Sequence, residues 1–301
     1  MATIDLSGTY TALITPFRDD AEQSIDWAAF DDLVEAQIEG GVTGLVSCGT
    51  TGESPTLSHE EHQQVIARTV ERARGRAHVI AGVGSYSTRE AIDLARAAER
   101  AGVDVVMGVV PYYSRPTQEG LRQHFLALAA AVSLPVIVYN VPSRTGTDLA
   151  ADTLVRIAME ASNVVGTKEA TGNVLRAQTL AGRLGPRFAI LSGDDALTLP
   201  MAAVGGRGVI SVTSNILPRE VVRATKLALT GDRDRARQAH LALLPVHEAM
   251  FLEANPGPVK AALAARGAIK EVVRQPLAKV TETTRAAVVA TIDAYLREPA
   301  P

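Results

Sequence analysis

A lysine ends a short apolar run in the sequence NVVGTKEATGN, residues 163–173. We interpret residues 164–168 as a buried strand that ends at Lys168, and residues 169–173 as the loop after it. Burial is costly for an ammonium group and favours the neutral amine, which can attack a carbonyl carbon and form a Schiff base. Taken alone, a lysine at a strand end more often extends its ammonium group to solvent. The rest of the chain must decide between these two interpretations.

Other polar residues that follow apolar runs have types suited to a small oxo acid. Thr50 and Thr51 lie in the glycine-bracketed sequence GTTGES, residues 49–54, where hydroxyls and backbone N–H groups can hold a carboxylate. Tyr139 could move the protons that forming and dehydrating a carbinolamine requires. Arg144 could bind a second carboxylate through its forked guanidinium. Each also has an ordinary alternative: a helix-entry turn, a packed tyrosine or a solvated loop arginine.

The histidines and the single cysteine do not indicate metal or thiol chemistry. His59 and His62 are three residues apart, but no third metal ligand is evident near them in the sequence. We therefore expect no metal. Cys48 has no activating partner nearby in the sequence, and we interpret it as a small buried apolar residue.

Length and composition limit the class of protein. The chain has 301 residues, 47% of them hydrophobic and 21% charged, with a net charge of −3. These values are typical of a soluble globular protein and give no basic footprint for nucleic acid or a membrane surface. A single cysteine suits a reducing compartment. Residues 1–5 do not begin a signal peptide, and no apolar run is long enough to span a membrane. We therefore expect a cytoplasmic protein.

An alternation of apolar runs and helical patterns occupies the first 230 residues or so. The strand-like runs are residues 10–14, 42–48, 79–82, 105–110, 136–139, 164–168, 189–191 and 208–212. Eight such units predict an α/β fold, a (β/α)8 TIM barrel over residues 1–230. Glycines recur where a helix leads into a strand, at 40–41, 102 and 205–206, which is typical of a repeated unit. A doubly wound open sheet is the alternative, but no glycine-rich phosphate loop follows a strand.

From residue 231 onward the pattern is helical only. We predict a small all-helical domain over residues 231–301, with helices at 232–251, 259–266 and 281–296. Pro245 could kink or divide the first of them. The short join to the barrel indicates a packed appendage, and residues 299–301 should form a frayed tail.

In a barrel of this kind the carboxyl ends of the strands form the face that carries the active site. Those ends supply Thr15, Thr50, Thr51, Tyr112, Tyr113, Tyr139, Arg144, Lys168, Ser192, Gly193 and Ser211. Hydroxyl groups and one arginine thus surround one lysine. This convergence favours the functional interpretation and predicts carbonyl chemistry through an imine.

Five motifs in one order resemble the dihydrodipicolinate synthase family, part of the pyruvate-dependent aldolases that include N-acetylneuraminate lyase. They are GTTGES at 49–54, PYY at 111–113, YNVPSRTG at 139–146, GTKEA at 166–170 and LSGDD at 191–195. The resemblance covers nearly the whole chain, including the helical C-terminal region. It implies a lyase of lysine and diaminopimelate biosynthesis that condenses pyruvate with L-aspartate 4-semialdehyde.

The resemblance also implies catalytic roles. Lys168 would form the Schiff base with pyruvate, and no separate cofactor would be needed. Tyr139, Thr51 and Tyr113 would form a proton relay, with Tyr113 reaching in from a neighbouring subunit. Family members are commonly homotetramers built as dimers of dimers.

Substrate-binding roles follow in the same way. Thr50 and Thr51 would hold the pyruvate carboxylate, helped by the backbone at Gly193 and Ile210. Arg144 would bind the carboxylate of the semialdehyde, and it favours the synthase over the sialate lyases, which lack this arginine in the family pattern.

Some family members are inhibited by lysine at a dimer interface. The matching positions here are Ser54, Pro55, His59, His62, Tyr86, Glu90 and Tyr112. Tyr86 departs from the asparagine often found there, and its bulk would crowd the effector, so we expect weak or absent inhibition. The two histidines could equally lie in a solvated first helical turn. Gly257 and the sequence QPLAK at 275–279 also depart from the family pattern, in segments that we expect to lie away from the site.

Two other functions stay open at this point. A related aldolase or dehydratase acting on another 2-oxo acid or aldehyde would keep the lysine and change the partner pocket. A non-catalytic sensor of oxo acids would form no covalent adduct with pyruvate.

Overall fold

A computed structural model describes residues 4–298, so the predicted tail at 299–301 lies outside the described residues. Eight parallel strands close into one barrel, each hydrogen-bonded to the next and the last to the first. They are β1 Gly8–Ala12, β2 Gly44–Ser47, β3 His78–Gly82, β4 Val105–Val109, β5 Val136–Asn140, β6 Val164–Glu169, β7 Ala189–Ser192 and β8 Gly208–Ser211. The predicted barrel is confirmed, and the strands are almost wholly buried, as parallel strands covered on both faces should be.

Helices surround the barrel and continue beyond it. They are α1 Trp27–Glu39, α2 His59–Ala73, α3 Thr88–Ala101, α4 Gln118–Ala131, α5 Pro142–Thr145, α6 Ala151–Glu160, α7 Val174–Leu184, α8 Thr198–Ala203, α9 Pro218–Thr230, α10 Arg233–Ala249, α11 Gly257–Ala265 and α12 Glu282–Arg297. None of the helices within residues 4–298 combines the length and apolarity that crossing a membrane would need.

The C-terminal helices pack on the barrel layer. Helix α10 contacts α9 on one side and α12 on the other. It runs unbroken from Arg233 to Ala249 through Pro245, so the predicted division at this proline is wrong, and burial of one helix face outweighs the missing hydrogen bond. The domain boundary at residue 230 stays a prediction.

Local signals set several helix ends. The Ser58 hydroxyl accepts from the Glu61 backbone N–H while the Glu61 carboxylate accepts from that of Ser58, so the predicted capping box is present at α2. At α3 the Ser87 side chain accepts from the Glu90 backbone, but the Glu90 carboxylate bonds Ser85 and His59 instead of closing a second box.

Two hydrophobic layers organise the core. An inner cluster that includes Tyr10, Ile80, Met107, Ile137 and Ile210 fills the barrel, and an outer cluster lies between strands and helices. The barrel is therefore a packed core and not a pore.

Acid should destabilise the fold through a buried histidine in the outer layer. His124 on α4 is buried with Nδ1 2.9 Å from the Thr88 hydroxyl, and burial, which disfavours the imidazolium, lowers its pKa to about 4. Near pH 7 the imidazole is neutral in both folded and unfolded chains. As the pH falls below the unfolded pKa of about 6.5, the unfolded chain binds the proton first, so stability is lost between about pH 6.5 and pH 4.

We expect His124 to account for about 2 kcal/mol of stability lost between pH 7 and pH 5. Urea unfolding of the wild type and of His124→Gln at both pH values measures this share, because glutamine does not titrate. Equal pH dependence in the two proteins would contradict the assignment. Burial also lowers the pKa values of His62, His240 and His247, so the variant should retain part of the acid sensitivity.

Candidate active site

Strand β6 places Lys168 inside the carboxyl end of the barrel. Lys168 pairs in register with Tyr139 on β5 and Leu191 on β7. Its side chain is only 6% exposed, and its Nζ lies 4.4 Å from the centre of the Tyr139 ring. Lys168 therefore does not extend its ammonium group to solvent. Its amine lies against Tyr139, the tyrosine predicted to move protons.

The loop after β2 brings Thr50 and Thr51 to the same place. The Thr15 hydroxyl at the end of the β1 segment donates to the Gly52 carbonyl at 2.7 Å. Within the loop, the Gly52 N–H donates to the Gly49 carbonyl at 3.1 Å. Thr51 is thereby buried, and its Oγ1 accepts a 2.9 Å hydrogen bond from Asn255 Nδ2.

Gly193 allows β7 to pass close to the lysine. Its N–H donates to the Glu169 carbonyl at 2.8 Å. A Cβ placed there would lie 3.2 Å from Lys168 Cε and 2.6 Å from Ala170 Cβ. A larger residue would therefore displace the lysine stem or the loop behind it.

These elements enclose a cavity of about 200 Å³, which we call the lysine cavity. Six of the eight predicted catalytic and substrate-binding residues line it: Thr50, Thr51, Tyr139, Arg144, Lys168 and Gly193. The cavity thus combines an amine, two threonine hydroxyls, a phenol and a guanidinium, a set that can bind a small carboxylate and react with a carbonyl group.

The other two predicted residues do not line this cavity. Ile210 belongs to the apolar cluster inside the barrel and its side chain is fully buried. Tyr113 is 92% exposed and has a φ of +68°, an unfavourable conformation for a residue with a Cβ. Tyr113 therefore does not line the lysine cavity of its own chain.

Three other strand-end hydroxyls hold the framework together. Besides the Thr15 bond, the Ser192 hydroxyl donates to the Asp194 carbonyl at 2.6 Å, and the Ser211 hydroxyl accepts from the Ser214 N–H at 2.8 Å. Each fixes a loop that borders the cavity or a strand next to it.

Several residues of the cavity wall were not predicted as site residues from the sequence: Val141, Ser143, Ala170, Asp194, Val212, Phe251 and Asn255. Most follow directly after residues that were identified, so reading two residues further past each strand end would have found them. Burial raises the pKa of the Asp194 carboxyl in this wall.

Asn255 and Phe251 had no such signal, because they come from the C-terminal helical region. Asn255 lies two residues before Gly257, in a segment that we expected to lie away from the site. Gly257 and residues 275–279 do not line the cavity, but Asn255 does. Chain distance is a poor guide here, since the segment between α10 and α11 folds back over the carboxyl end of the barrel.

A second concavity of about 470 Å³ adjoins the lysine cavity and shares Thr50, Tyr139, Val141 and Arg144 with it. We call it the effector groove, because all seven predicted effector positions line it: Ser54, Pro55, His59, His62, Tyr86, Glu90 and Tyr112. The structure thus brings these positions together beside the candidate active site.

The side chains that line the groove differ in their contacts. His59 Nε2 lies 2.9 Å from Glu90 Oε1, while His62 is buried with Nε2 2.9 Å from the Gly82 carbonyl. His62 is therefore not in a solvated turn. Tyr86 is exposed, lines the groove and stands edge-on to Tyr112, with ring centres 5.5 Å apart.

Residues 4–298 contain no cluster of three or more His, Cys, Asp or Glu side chains arranged to hold a metal ion.

The fold and the cavity define a class: a (β/α)8-barrel protein whose candidate site centres on one buried lysine at the end of the sixth strand. The chain matches the Dihydrodipicolinate synthetase family over residues 5–295, and it belongs to that family.

Individual relatives agree over the whole chain. A 4-hydroxy-tetrahydrodipicolinate synthase of Sorangium cellulosum strain So ce56 is 58% identical over 95% of this chain and 94% of its own. The structure of the synthase of Methylacidiphilum fumariolicum SolV superposes with a TM-score of 0.95 at 47% identity, covering 97% of each chain. The structure of a chloride-inhibited dihydrodipicolinate synthase of Acinetobacter baumannii, complexed with pyruvate, superposes with a TM-score of 0.93 at 43% identity. The match covers 96% of this chain and 98% of that one.

Proposed function

We propose that this chain is a 4-hydroxy-tetrahydrodipicolinate synthase, a Schiff-base-forming lyase that condenses pyruvate with L-aspartate 4-semialdehyde in lysine and diaminopimelate biosynthesis. One observation carries the proposal. The Lys168 amine is buried 4.4 Å from the Tyr139 ring centre in a cavity that also holds Thr51 and Arg144. Family membership and relatives of that name support the choice among lysine-based barrel enzymes.

The first half of the reaction uses the lysine as nucleophile. The Lys168 amine attacks the keto carbon of pyruvate, and the carbinolamine loses water to give an imine. Tyr139 and Thr51 hydroxyls supply and remove the protons that these steps need. Loss of a proton from the substrate methyl group then gives an enamine, whose carbon is a nucleophile.

The second half joins the two substrates. The enamine carbon attacks the aldehyde carbon of the semialdehyde, forming a carbon–carbon bond. The semialdehyde amine then attacks the imine carbon and displaces the Lys168 amine, which closes the heterocycle and restores the free enzyme. Thr50 and Thr51 hold the pyruvate carboxylate, together with the backbone at Gly193 and Ile210.

Two measurements test this function. Incubation with pyruvate and borohydride should add one reduced pyruvate to Lys168, and a protein without this adduct would be neither a synthase nor a related aldolase. A coupled assay with pyruvate plus aspartate semialdehyde, run beside other aldehydes, then identifies the second substrate. Preference for another aldehyde would overturn the synthase assignment while leaving the imine chemistry intact.

Arg144 should select the second substrate. It is exposed and lines both the lysine cavity and the effector groove, so its guanidinium can reach a carboxylate that enters from outside. We expect Arg144→Ala to lower kcat/KM for the semialdehyde by about 10²-fold, the loss of a charge-assisted contact. Pyruvate trapping at Lys168 should persist.

Arg144→Lys is the matched control, because it keeps the charge but loses the forked geometry. It should retain part of the activity. An equal loss of pyruvate trapping and of semialdehyde turnover in Arg144→Ala would contradict a role confined to the second substrate.

Tyr113 should act in a neighbouring subunit of a homotetramer built as a dimer of dimers. Its exposure of 92%, its strained φ and its absence from this chain's cavity support that arrangement. We expect Tyr113→Phe to lower kcat by about 10²-fold through loss of the relay proton. Mixed assemblies of Tyr113→Phe and Lys168→Ala subunits should then regain activity, because some sites combine an intact lysine with an intact tyrosine.

Homo-assemblies of each variant, dissociated and reassembled alone, are the control. A mixture no more active than the mean of its two components would place Tyr113 in its own subunit's site or outside any site.

We further propose that the effector groove binds lysine weakly or not at all, since the bulky Tyr86 side chain lines it beside Tyr112 and would crowd the effector. The reaction, which uses central metabolites, supports a cytoplasmic location.

A further inference from the structure

Asn255 links the C-terminal helical region to the threonine loop of the lysine cavity. It lies between α10 and α11, is only 4% exposed and forms part of the cavity wall. Its Nδ2 donates to Thr51 Oγ1 at 2.9 Å. Helix α11, which follows this segment, contacts the same loop, because the Lys260 ammonium bonds the buried Glu53 carboxylate.

The hydrogen bond from Asn255 determines where the Thr51 proton can go. A hydroxyl group has one proton to donate and two lone pairs that can accept. Asn255 occupies one lone pair, so the Thr51 O–H must point away from the amide. No acceptor within residues 4–298 takes this proton, which leaves it directed at whatever occupies the cavity.

The carbonyl oxygen of the Asn255 side chain indicates that a contribution to stability alone does not explain why asparagine occupies this position. Its Oδ1 is buried and accepts no hydrogen bond from any residue in the described range 4–298. An unpaired buried carbonyl oxygen destabilises a fold by about 1–3 kcal/mol. An apolar side chain of the same shape would avoid that cost, but it could not orient Thr51.

We propose that Asn255 is a positioning residue that acts through Thr51, fixing its hydroxyl as a proton donor toward the reacting carbinolamine oxygen or the Tyr139 hydroxyl. The inference rests on the proposed function and adds a residue from outside the barrel to its proton relay. Oriented in this way, the proton is ready for transfer before the substrate arrives, which raises kcat more than it lowers KM.

Asn255→Leu is the informative variant, because leucine keeps the shape of asparagine and removes both polar ends. We expect kcat to fall about 10- to 100-fold, with KM for pyruvate within about threefold of wild type. The melting temperature should stay the same or rise, because the unpaired Oδ1 is gone. A residue that served only structure would lose stability together with activity.

A double-mutant cycle with Thr51→Val tests whether Asn255 works through Thr51. If it does, Asn255→Leu should change kcat by less than about threefold in the Thr51→Val background. If the two substitutions instead act independently, the factors by which each lowers kcat will multiply in the double variant, and the proposal is overturned. Single-turnover trapping of the pyruvate imine with borohydride supplies the same comparison when steady-state turnover is too slow.

Asn163→Ala provides a matched control at the other end of the barrel, where the Asn163 amide donates to the Ala129 carbonyl at 2.9 Å. Asn163 is half-buried, so Asn163→Ala should lower stability and leave kcat unchanged. A kcat loss like that of Asn255→Leu would point to a general effect of losing an asparagine hydrogen bond. The failure of the proposed function is a separate result, since the wild type would then form no pyruvate adduct at all.

Discussion

Lys168→Ala is expected to lower kcat by about 10⁴-fold or more and to abolish borohydride trapping of pyruvate. The Lys168 Nζ is the only amine among the residues that line the lysine cavity within the described chain. Without it, no group there can form an imine, and the hydroxyls of Thr51 and Tyr139 have no carbinolamine to protonate. Intact mass after reduction, peptide mapping and the coupled assay measure the loss.

The control for this variant separates chemistry from folding. Lys168→Met keeps an unbranched side chain of similar length over the Tyr139 ring, whose centre lies 4.4 Å from the wild-type Nζ. It should fold at least as stably as wild type, because a buried ionisable group is replaced by an apolar one, and should be equally inactive. Adduct formation at another lysine in either variant would show that the imine chemistry has been placed on the wrong residue.

The buried ion pair between Glu53 and Lys260 should give the largest stability effect in the chain. Both side chains are 0% exposed. The Lys260 ammonium also donates to the Val272 carbonyl at 2.9 Å and lies 4.2 Å from the Phe17 ring centre. Burial lowers the pKa of Lys260 to about 8, while the Glu53 carboxylate acts in the opposite direction.

Lys260→Met is expected to lower the free energy of unfolding by about 3–5 kcal/mol, because the Glu53 carboxylate stays buried without its counter-charge. The melting temperature should fall by roughly 10 °C. Thermal melts and urea titrations at pH 7 measure both quantities.

The double variant Glu53→Gln/Lys260→Met tests the physical reason. With both charges removed, most of the lost stability should return, since a neutral pair costs much less to bury than a lone carboxylate. A double variant as unstable as Lys260→Met would show that lost packing around Phe17, and not the uncompensated charge, dominates.

Much of the fold could be predicted because it depends on local patterns. Eight strands and their helices could be located from apolar runs of three to seven residues, helix caps such as Ser58 and glycines at helix ends such as Gly102. The predicted strand ends lie within about two residues of those in the structure. The short helix Pro142–Thr145 was missed, because a single turn has too few residues to show a period.

The candidate site could be predicted where it depends on strand ends. The residues after β2, β5, β6 and β7 converge in any closed parallel barrel, so Thr50, Tyr139 and Lys168 were placed together before any geometry was known. Convergence of this kind says nothing about segments that reach the site from elsewhere. Asn255 and Phe251 belong to such a segment, and their contribution appeared only in the structure.

The barrel, the order of its strands and the lysine on which the candidate chemistry depends could all be predicted from the sequence. Each of them follows from short-range periodicity and from the face on which parallel strands must end. The burial of Lys168 against Tyr139, the position of Tyr113 outside the cavity of its own chain and the hydrogen bond between Asn255 and Thr51 could be seen only in the folded molecule. Burial and hydrogen-bond direction depend on atoms that are far apart in the chain. Asn255 and Thr51 are 204 residues apart, and no local pattern connects them.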